Sequence, residues 1–188
     1  MKEISYLIDK NIINIESGGS HHLALLFNGN IYIWGSNKCG QLGLDEQEDN
    51  LDISKANSES QVIKIPILLK NLENIKIKII SCGEVHSLAL SENGDIYSWG
   101  GCSYGQLGHS YMDIMPKDEN NKPYLPVPNL IESIREIKMI DIACGRYHNI
   151  SIDNNGNIYT WGNGTYGQLG IGKNIYSLSK NEEGFFYQ

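Results

Sequence analysis

Apolar and polar positions alternate in short runs along this chain, and no stretch sustains a helical period. Residues 75–81 read Ile-Lys-Ile-Lys-Ile-Ile-Ser and residues 137–143 read Ile-Lys-Met-Ile-Asp-Ile-Ala. These are alternating or continuous apolar runs of strand length, each ended by a glycine-bearing turn. Residues 86–90 predict a second strand. The Asn93-Gly94 pair that follows, matched by Asn28-Gly29 and Asn155-Gly156, predicts a type I′ hairpin turn, which needs positive φ at both central residues. A third strand is read in Ile96-Tyr97-Ser98-Trp99, with Ile96 and Ser98 on one face and Tyr97 and Trp99 on the other. A fourth is expected around residues 68–72, with Pro66 at its start, where no ladder donor is lost, as suits an edge strand. A sandwich strand normally leaves one face polar, whereas these are apolar on both. Four short antiparallel strands with no wet face describe a blade pressed between neighbouring blades of a β-propeller.

The whole pattern recurs. SGGSHHLALLFNGNIYIWGSNKCGQLG from Ser17, CGEVHSLALSENGDIYSWGGCSYGQLG from Cys82 and CGRYHNISIDNNGNIYTWGNGTYGQLG from Cys144 align without a gap, at offsets of 65 and 62 residues. Five glycine positions recur: Gly18, Gly83 and Gly145; Gly29, Gly94 and Gly156; Gly35, Gly100 and Gly162; Gly40, Gly105 and Gly167; Gly43, Gly108 and Gly170. So do one histidine (His21, His86, His148) and one tryptophan (Trp34, Trp99, Trp161). Upstream, Pro66 and Pro128 each lie 17 residues before the first glycine of a block, followed by Leu69 and Leu72 or by Ile131 and Ile134; the same count from Gly18 reaches Met1, with Ile4 and Leu7 in the apolar places. The chain divides into units 1–65, with an acidic insertion at 44–62; 66–127, with an insertion at 109–127; and 128–188.

Composition narrows the function classes. With 188 residues there is chain enough for a sizeable core. A net charge of -7 and only two arginines, Arg135 and Arg146, leave no clustered positive face for phosphates, so no direct contact with nucleic acid is expected. The first residues carry Lys2, Glu3, Asp9 and Lys10, unlike a signal peptide, and the apolar runs are far shorter than a membrane span. The expectation is a soluble intracellular protein, cytoplasmic or nuclear, with no membrane partner. Cys39, Cys82, Cys102 and Cys144 form no CxxC pair and show no metal-ligand spacing, so they read as reduced thiols, and neither a metal nor a cofactor is expected.

Five elements in fixed order, GxxH, LAL (Ile-Ser-Ile in the third unit), NG, IYxWG and GQLG, resemble the repeat of the regulator of chromosome condensation family, across essentially the whole chain. The resemblance implies blades of a seven-bladed β-propeller, here three units of an incomplete, open one. Members of that family include a nucleotide exchange factor for the small GTPase Ran, ubiquitin-ligase modules, ciliary scaffolds, bacterial enzyme inhibitors and a plant UV-B photoreceptor. The resemblance therefore implies recognition of a protein through loops on one rim and does not choose among these activities.

No catalytic residue emerges. His21, His86 and His148 occur once per unit, which suits a ring nitrogen hydrogen-bonded inside each blade better than chemistry. His22 and His109 are unmatched and read as surface residues. None of the GxxH segments contains the tryptophan that the resembling photoreceptor uses as chromophore, and Trp34, Trp99 and Trp161 read as packing residues. The GQLG turns lack a following lysine and helix, which argues against phosphate binding and leaves Gln41, Gln106 and Gln168 as braces of the turn.

Differences between units point to function. The first insertion carries Asp45, Glu46, Glu48, Asp49 and Asp52, an acidic arm suited either to solvation or to steering a basic partner such as a GTPase surface or a histone tail. The second carries Tyr111, Met112, Met115 and Tyr124, residue types that anchor fixed contacts. The leading expectation is a protein-interaction module without catalytic chemistry; the alternative is guanine nucleotide exchange on a Ran-like small GTPase. Three units also leave two apolar blade faces uncovered, which predicts self-association or further blades from a longer polypeptide.

Overall fold

The computed structural model describes residues 3–44 and 61–172. Eleven strands form three antiparallel sheets, with no α-helix among the described residues. Blade 1 holds β1 (Ile12–Ser17), β2 (His21–Leu26), β3 (Ile31–Ser36) and β4 (Val62–Leu68). Blade 2 holds β5 (Ile77–Cys82), β6 (His86–Ser91), β7 (Ile96–Gly101) and β8 (Tyr124–Leu130). Blade 3 holds β9 (Met139–Cys144), β10 (His148–Asp153) and β11 (Ile158–Gly162) among the described residues. Each sheet is a meander in sequence order, and the three sheets do not close a ring.

The registers repeat with the sequence. His21 pairs with Gly35, His86 with Gly100 and His148 with Gly162. Gly100 has φ +99, and a Cβ there would stand 2.5 Å from the carbonyl oxygen of Val85, so the glycine is required by conformation and by close approach together.

Two local expectations are corrected. The outer strand of a blade covers Val62–Leu68, not residues 68–72, and Pro66 stands inside it as an edge residue; Lys70–Leu72 is a 3-10 turn that carries the chain to the next sheet. Because β4 pairs with β3, the proline-bearing segment closes the sheet of the strands before it. The NG turns are not type I′. Only the glycine takes positive φ, as at Gly94 (φ +99), and the Gly94 N–H bonds to the Ser91 carbonyl at 3.1 Å. The asparagine stays at negative φ, giving a four-residue turn with a left-handed glycine, which matches strand twist without straining a side-chain-bearing residue.

The core lies between blades, as expected of strands apolar on both faces. Leu23, Leu25, Ile31 and Ile33 of blade 1 pack against Ile80, Ala89 and Trp99 of blade 2. Leu88, Leu90 and Ile96 of blade 2 pack against Ile142, Tyr159 and Trp161 of blade 3. Tyr97 and Trp99 thus face one neighbour and Ile96 the other, the division read from the third strand. Burying an indole of this size removes roughly 200 Å² from water and stabilises the junction by at most about 5 kcal/mol.

Candidate functional site

The antiparallel order places the β1–β2 and β3–β4 connections at one end of each sheet. That rim carries the GxxH turns, the GQLG turns and the second insertion. The GxxH turns are laced together by backbone bonds from Gly19 N–H to the Glu84 carbonyl (3.2 Å) and from Glu84 N–H to the Arg146 carbonyl (2.9 Å). Beneath them, the repeated histidine reaches across to the next blade and not within its own. His21 Nε2 lies 2.9 Å from Ser87 Oγ, and His86 Nε2 lies 2.8 Å from Asn149 Oδ1.

Those acceptors are themselves held from behind. Ser87 Oγ donates to the Gln41 carbonyl (3.0 Å), which also takes the Trp99 indole N–H (2.9 Å). Asn149 Nδ2 donates to the Gln106 carbonyl (2.7 Å), which also takes the Trp161 N–H (3.0 Å). Since the Ser87 proton is committed to Gln41, His21 must donate through Nε2, and its tautomer is set. The remaining ring nitrogens, Nδ1 of His21 and His86, are buried with no hydrogen-bond partner among the described residues. Burial, with a smaller repulsion from neighbouring histidines, lowers both rings to about 4, so they are neutral at physiological pH. The glutamine side chains brace their turns: Oε1 of Gln41, Gln106 and Gln168 accepts the N–H of Cys39, Tyr104 and Tyr166, each at 2.8 Å.

His148 and Trp34 are half-buried. His22 stacks on Trp34 with ring centroids 5.2 Å apart. His109 is not a surface residue: it is 4% exposed, lies 3.0 Å from Ser98 Oγ, and is lowered to about 4 by burial. The unit-specific insertion folds over it, which no pattern within the repeat announces. All four cysteines are free, and burial pushes the Cys102 thiol up to about 11 and Cys144 to about 12.

The two insertions differ. Asp45, Glu46, Glu48, Asp49 and Asp52 lie outside the described residues. The second insertion is built around its own small core, in which Met115 packs with Cys102, Leu107 and Leu125 and Met112 covers the edge. Met115 is therefore a packing residue and not an exposed anchor, since its side chain fills the space that the insertion creates. Tyr124 is half-buried at the start of β8, and Tyr111 is exposed beside His109, 5.0 Å between ring centroids. At the tip, Asp118 Oδ1 accepts the N–H of Asn120 and Lys122 and holds a tight turn. Between this tip and the blade 1 turn lies a polar cleft of about 530 Å³, whose lining includes Lys38, Gln61, Lys117, Asp118, Glu119 and Tyr124.

A second cluster on the same rim lies inside the motif itself. Tyr104 stands 5.2 Å from Tyr147 by ring centroids, the Arg146 guanidinium lies 5.2 Å from the Tyr147 ring, and Arg146 Nε donates to Glu84 Oε2 at 3.1 Å. Tyr104 and Tyr166 are exposed. Sequence reasoning passed over these residues; the available signal was the variable pair within GxxH, which is Gly-Ser, Glu-Val and Arg-Tyr in the three units.

A model of the regulator of chromosome condensation (RCC1) repeat matches residues 28–90, 93–152 and 155–182, and a second RCC1 repeat model matches residues 12–41, 77–106 and 139–168. The probable E3 ubiquitin-protein ligase HERC4 of Homo sapiens is 35% identical over 178 residues, covering 95% of this chain and 15% of the ligase. The ultraviolet-B receptor UVR8 of Arabidopsis thaliana is 37% identical over 161 residues, covering 86% of this chain and 31% of the receptor. Among solved structures, Prp20p from Saccharomyces cerevisiae, described with its binding properties to Gsp1p and histones, superposes with a TM-score of 0.70 at 29% identity, covering 93% of this chain and 37% of that one. The chain thus spans well under half the length of these relatives. No helix among the described residues is long and apolar enough to cross a membrane.

Proposed function

The chain belongs to the regulator of chromosome condensation (RCC1) repeat family, and from that premise we propose that it is a protein-interaction module whose partner seats on the rim bearing the GxxH turns and the second insertion. The observation that carries this reading is the Tyr104–Tyr147–Arg146 array, in which exposed Tyr104 and half-buried Tyr147 lie 5.2 Å apart and exposed Arg146 stands over the second ring. Tyrosine and arginine dominate interface hot spots, because they offer large rigid area with a polar handle. Arg146 and Tyr147 sit on a GxxH turn laced to its neighbour by the Glu84 N–H to Arg146 carbonyl bond, and the Tyr104 turn is braced by Gln106, so little ordering is required on binding. The net charge of -7 favours a basic partner. The same reading places the protein in the cytoplasm or nucleus, where such partners are found.

Prp20p supplies two probes, Gsp1p and histones. Either should bind the chain, and Tyr104→Ala combined with Arg146→Ala should weaken that binding by tenfold or more while leaving the melting temperature unchanged. Equal binding by the double variant removes this rim cluster as the contact.

A second reading, nucleotide exchange, rests on the order in the second insertion. A rim loop that favours the nucleotide-free state of a GTPase accelerates release without any nucleophile. The Asp118–Lys122 tip is an ordered turn of this kind, held by the Asp118 carboxylate. Release of a fluorescent guanine nucleotide from a Ran-like GTPase, at micromolar chain, separates the readings: acceleration supports exchange, and binding without acceleration supports the module alone.

A further inference from the structure

The two internal blade junctions are one interface built twice. In each, the trailing face of a blade supplies a histidine Nε2–H, a glutamine carbonyl and three aliphatic side chains. The leading face of the next blade supplies a side-chain oxygen, a tryptophan N–H and an isoleucine. At the blade 1–2 junction these are His21, Gln41, Leu23, Leu25 and Ile31 against Ser87, Trp99 and Ile80. At the blade 2–3 junction they are His86, Gln106, Leu88, Leu90 and Ile96 against Asn149, Trp161 and Ile142.

Both halves recur once more, uncovered. Blade 3 presents His148, Gln168, Ile150, Ile152 and Ile158 on its trailing face, and blade 1 presents His22, Trp34 and Ile15 on its leading face. Ile150 and Ile158 are 43% and 53% exposed, where Leu88 and Ile96 are 0% and 1%. Ile15 is 67% exposed, where Ile80 is 1%. Ile4, which opens the leading side of blade 1, is 43% exposed, where its counterparts Leu69 and Ile131 are 1% and 0%. A shallow hollow of about 190 Å³ lies among Ile150, Ile152 and Ile158.

We propose that the trailing face of blade 3 docks on the leading face of blade 1 of a second copy of this chain, forming the internal junction a third time. The occupant is argued from continuity with the two junctions already present: apart from His22, each half displays the groups that its counterpart engages inside the chain. The Trp34 N–H meets the Gln168 carbonyl. His22 replaces Ser87 and Asn149; with its Nδ1–H donated to Ser17 Oγ, 2.9 Å away, its Nε2 is the nitrogen that accepts from His148, so the junction requires that tautomer. The arrangement is head-to-tail, so it closes into a ring or continues as an open chain according to the rotation per blade. Two copies supply six blades, within the four to eight with which propellers close.

Sedimentation of the full chain at tens of micromolar tests this. Dimers or larger species are expected. Ile15→Asp and Ile150→Asp, both at exposed positions that leave the monomer fold intact, should each weaken association by roughly a hundredfold, because an aspartate is then buried unpaired. An equimolar mixture of the two variants should recover association as a one-to-one pair, since each carries the intact half that the other lacks. Unchanged melting of each variant at sub-micromolar protein excludes misfolding as the cause. A wild-type chain that stays monomeric, as it would if only further blades of a longer polypeptide covered these faces, overturns the proposal. So does association that survives both variants, or a mixture that fails to recover.

Discussion

His86 of blade 2 lies 2.8 Å, through Nε2, from Asn149 Oδ1 of blade 3, and the same asparagine donates to the Gln106 carbonyl of blade 2 at 2.7 Å. One side chain therefore satisfies a donor and an acceptor of its neighbour, both buried. Asn149→Leu strands both and should destabilise the chain by about 3 kcal/mol, whereas Asn149→Ser, which restores the chemistry of Ser87, should lose about 1 kcal/mol. Urea denaturation at sub-micromolar protein measures both; equal losses would mean that only side-chain volume matters at this position.

The tryptophans should separate by blade. Trp99→Phe and Trp161→Phe each remove an indole donor from a buried glutamine carbonyl and should lose about 2 kcal/mol. Trp34→Phe lies on the half-buried leading face of blade 1 and should lose less than about 0.5 kcal/mol at concentrations where the chain is monomeric. Similar losses at all three positions would contradict the bonds to Gln41 and Gln106.

Acid should weaken the fold through its histidines. His21, His86 and His109 are held at about 4, against 6.5 for an unburied ring. The unfolded chain then binds more protons between those values, so stability rises with pH through that window and is lost on acidification. Each ring contributes a slope of up to about 1.4 kcal/mol per pH unit. His109→Asn should flatten the dependence of the denaturation midpoint between pH 6.5 and 4.5 relative to wild type; superimposable slopes would show that this ring takes up protons in the folded state.

Glycines that look alike in the alignment should respond unequally. Gly100→Ala places a Cβ 2.5 Å from the Val85 carbonyl oxygen at φ +99 and should lose more than about 3 kcal/mol. Gly156→Ala, at φ +88 with nothing within 4 Å, should lose about 1 kcal/mol. Thermal melts of the pair decide it, and equal shifts would mean that φ alone sets the requirement.

The second insertion should depend on Met115 and ignore Ile114, which are 4% and 82% exposed. Met115→Ala should lose about 2 kcal/mol and open residues 109–123 to proteolysis. Ile114→Ala should leave both unchanged; the reverse order would displace the small core around Cys102 and Leu107.

Much of this fold is legible in a single chain because three copies of one solution are written in it. The recurrence of Gly-x-x-His, Ile-Tyr-x-Trp-Gly and Gly-Gln-Leu-Gly identifies a blade. The apolar residues on both faces of Ile96–Gly101 say that blades stack. The turn at Asn93-Gly94 was misread because the dipeptide leaves the φ of the asparagine open, and the strand pairing decides it. His109 was misread because nothing within the repeat says that an insertion returns to cover its own blade.

The sequence by itself determined the local and periodic features: the three inner strands of each blade, which face their apolar residues take, and where left-handed glycines stand, since each depends on neighbours a few residues away. Only the tertiary structure decided which partner each repeated polar group takes. His21 and His86 reach the next blade, Trp99 and Trp161 reach back to the previous turn, and Tyr104 meets Tyr147 across a junction. These contacts join residues more than 40 positions apart, so they follow from the stacking and rotation of whole sheets, which no short window of residues encodes.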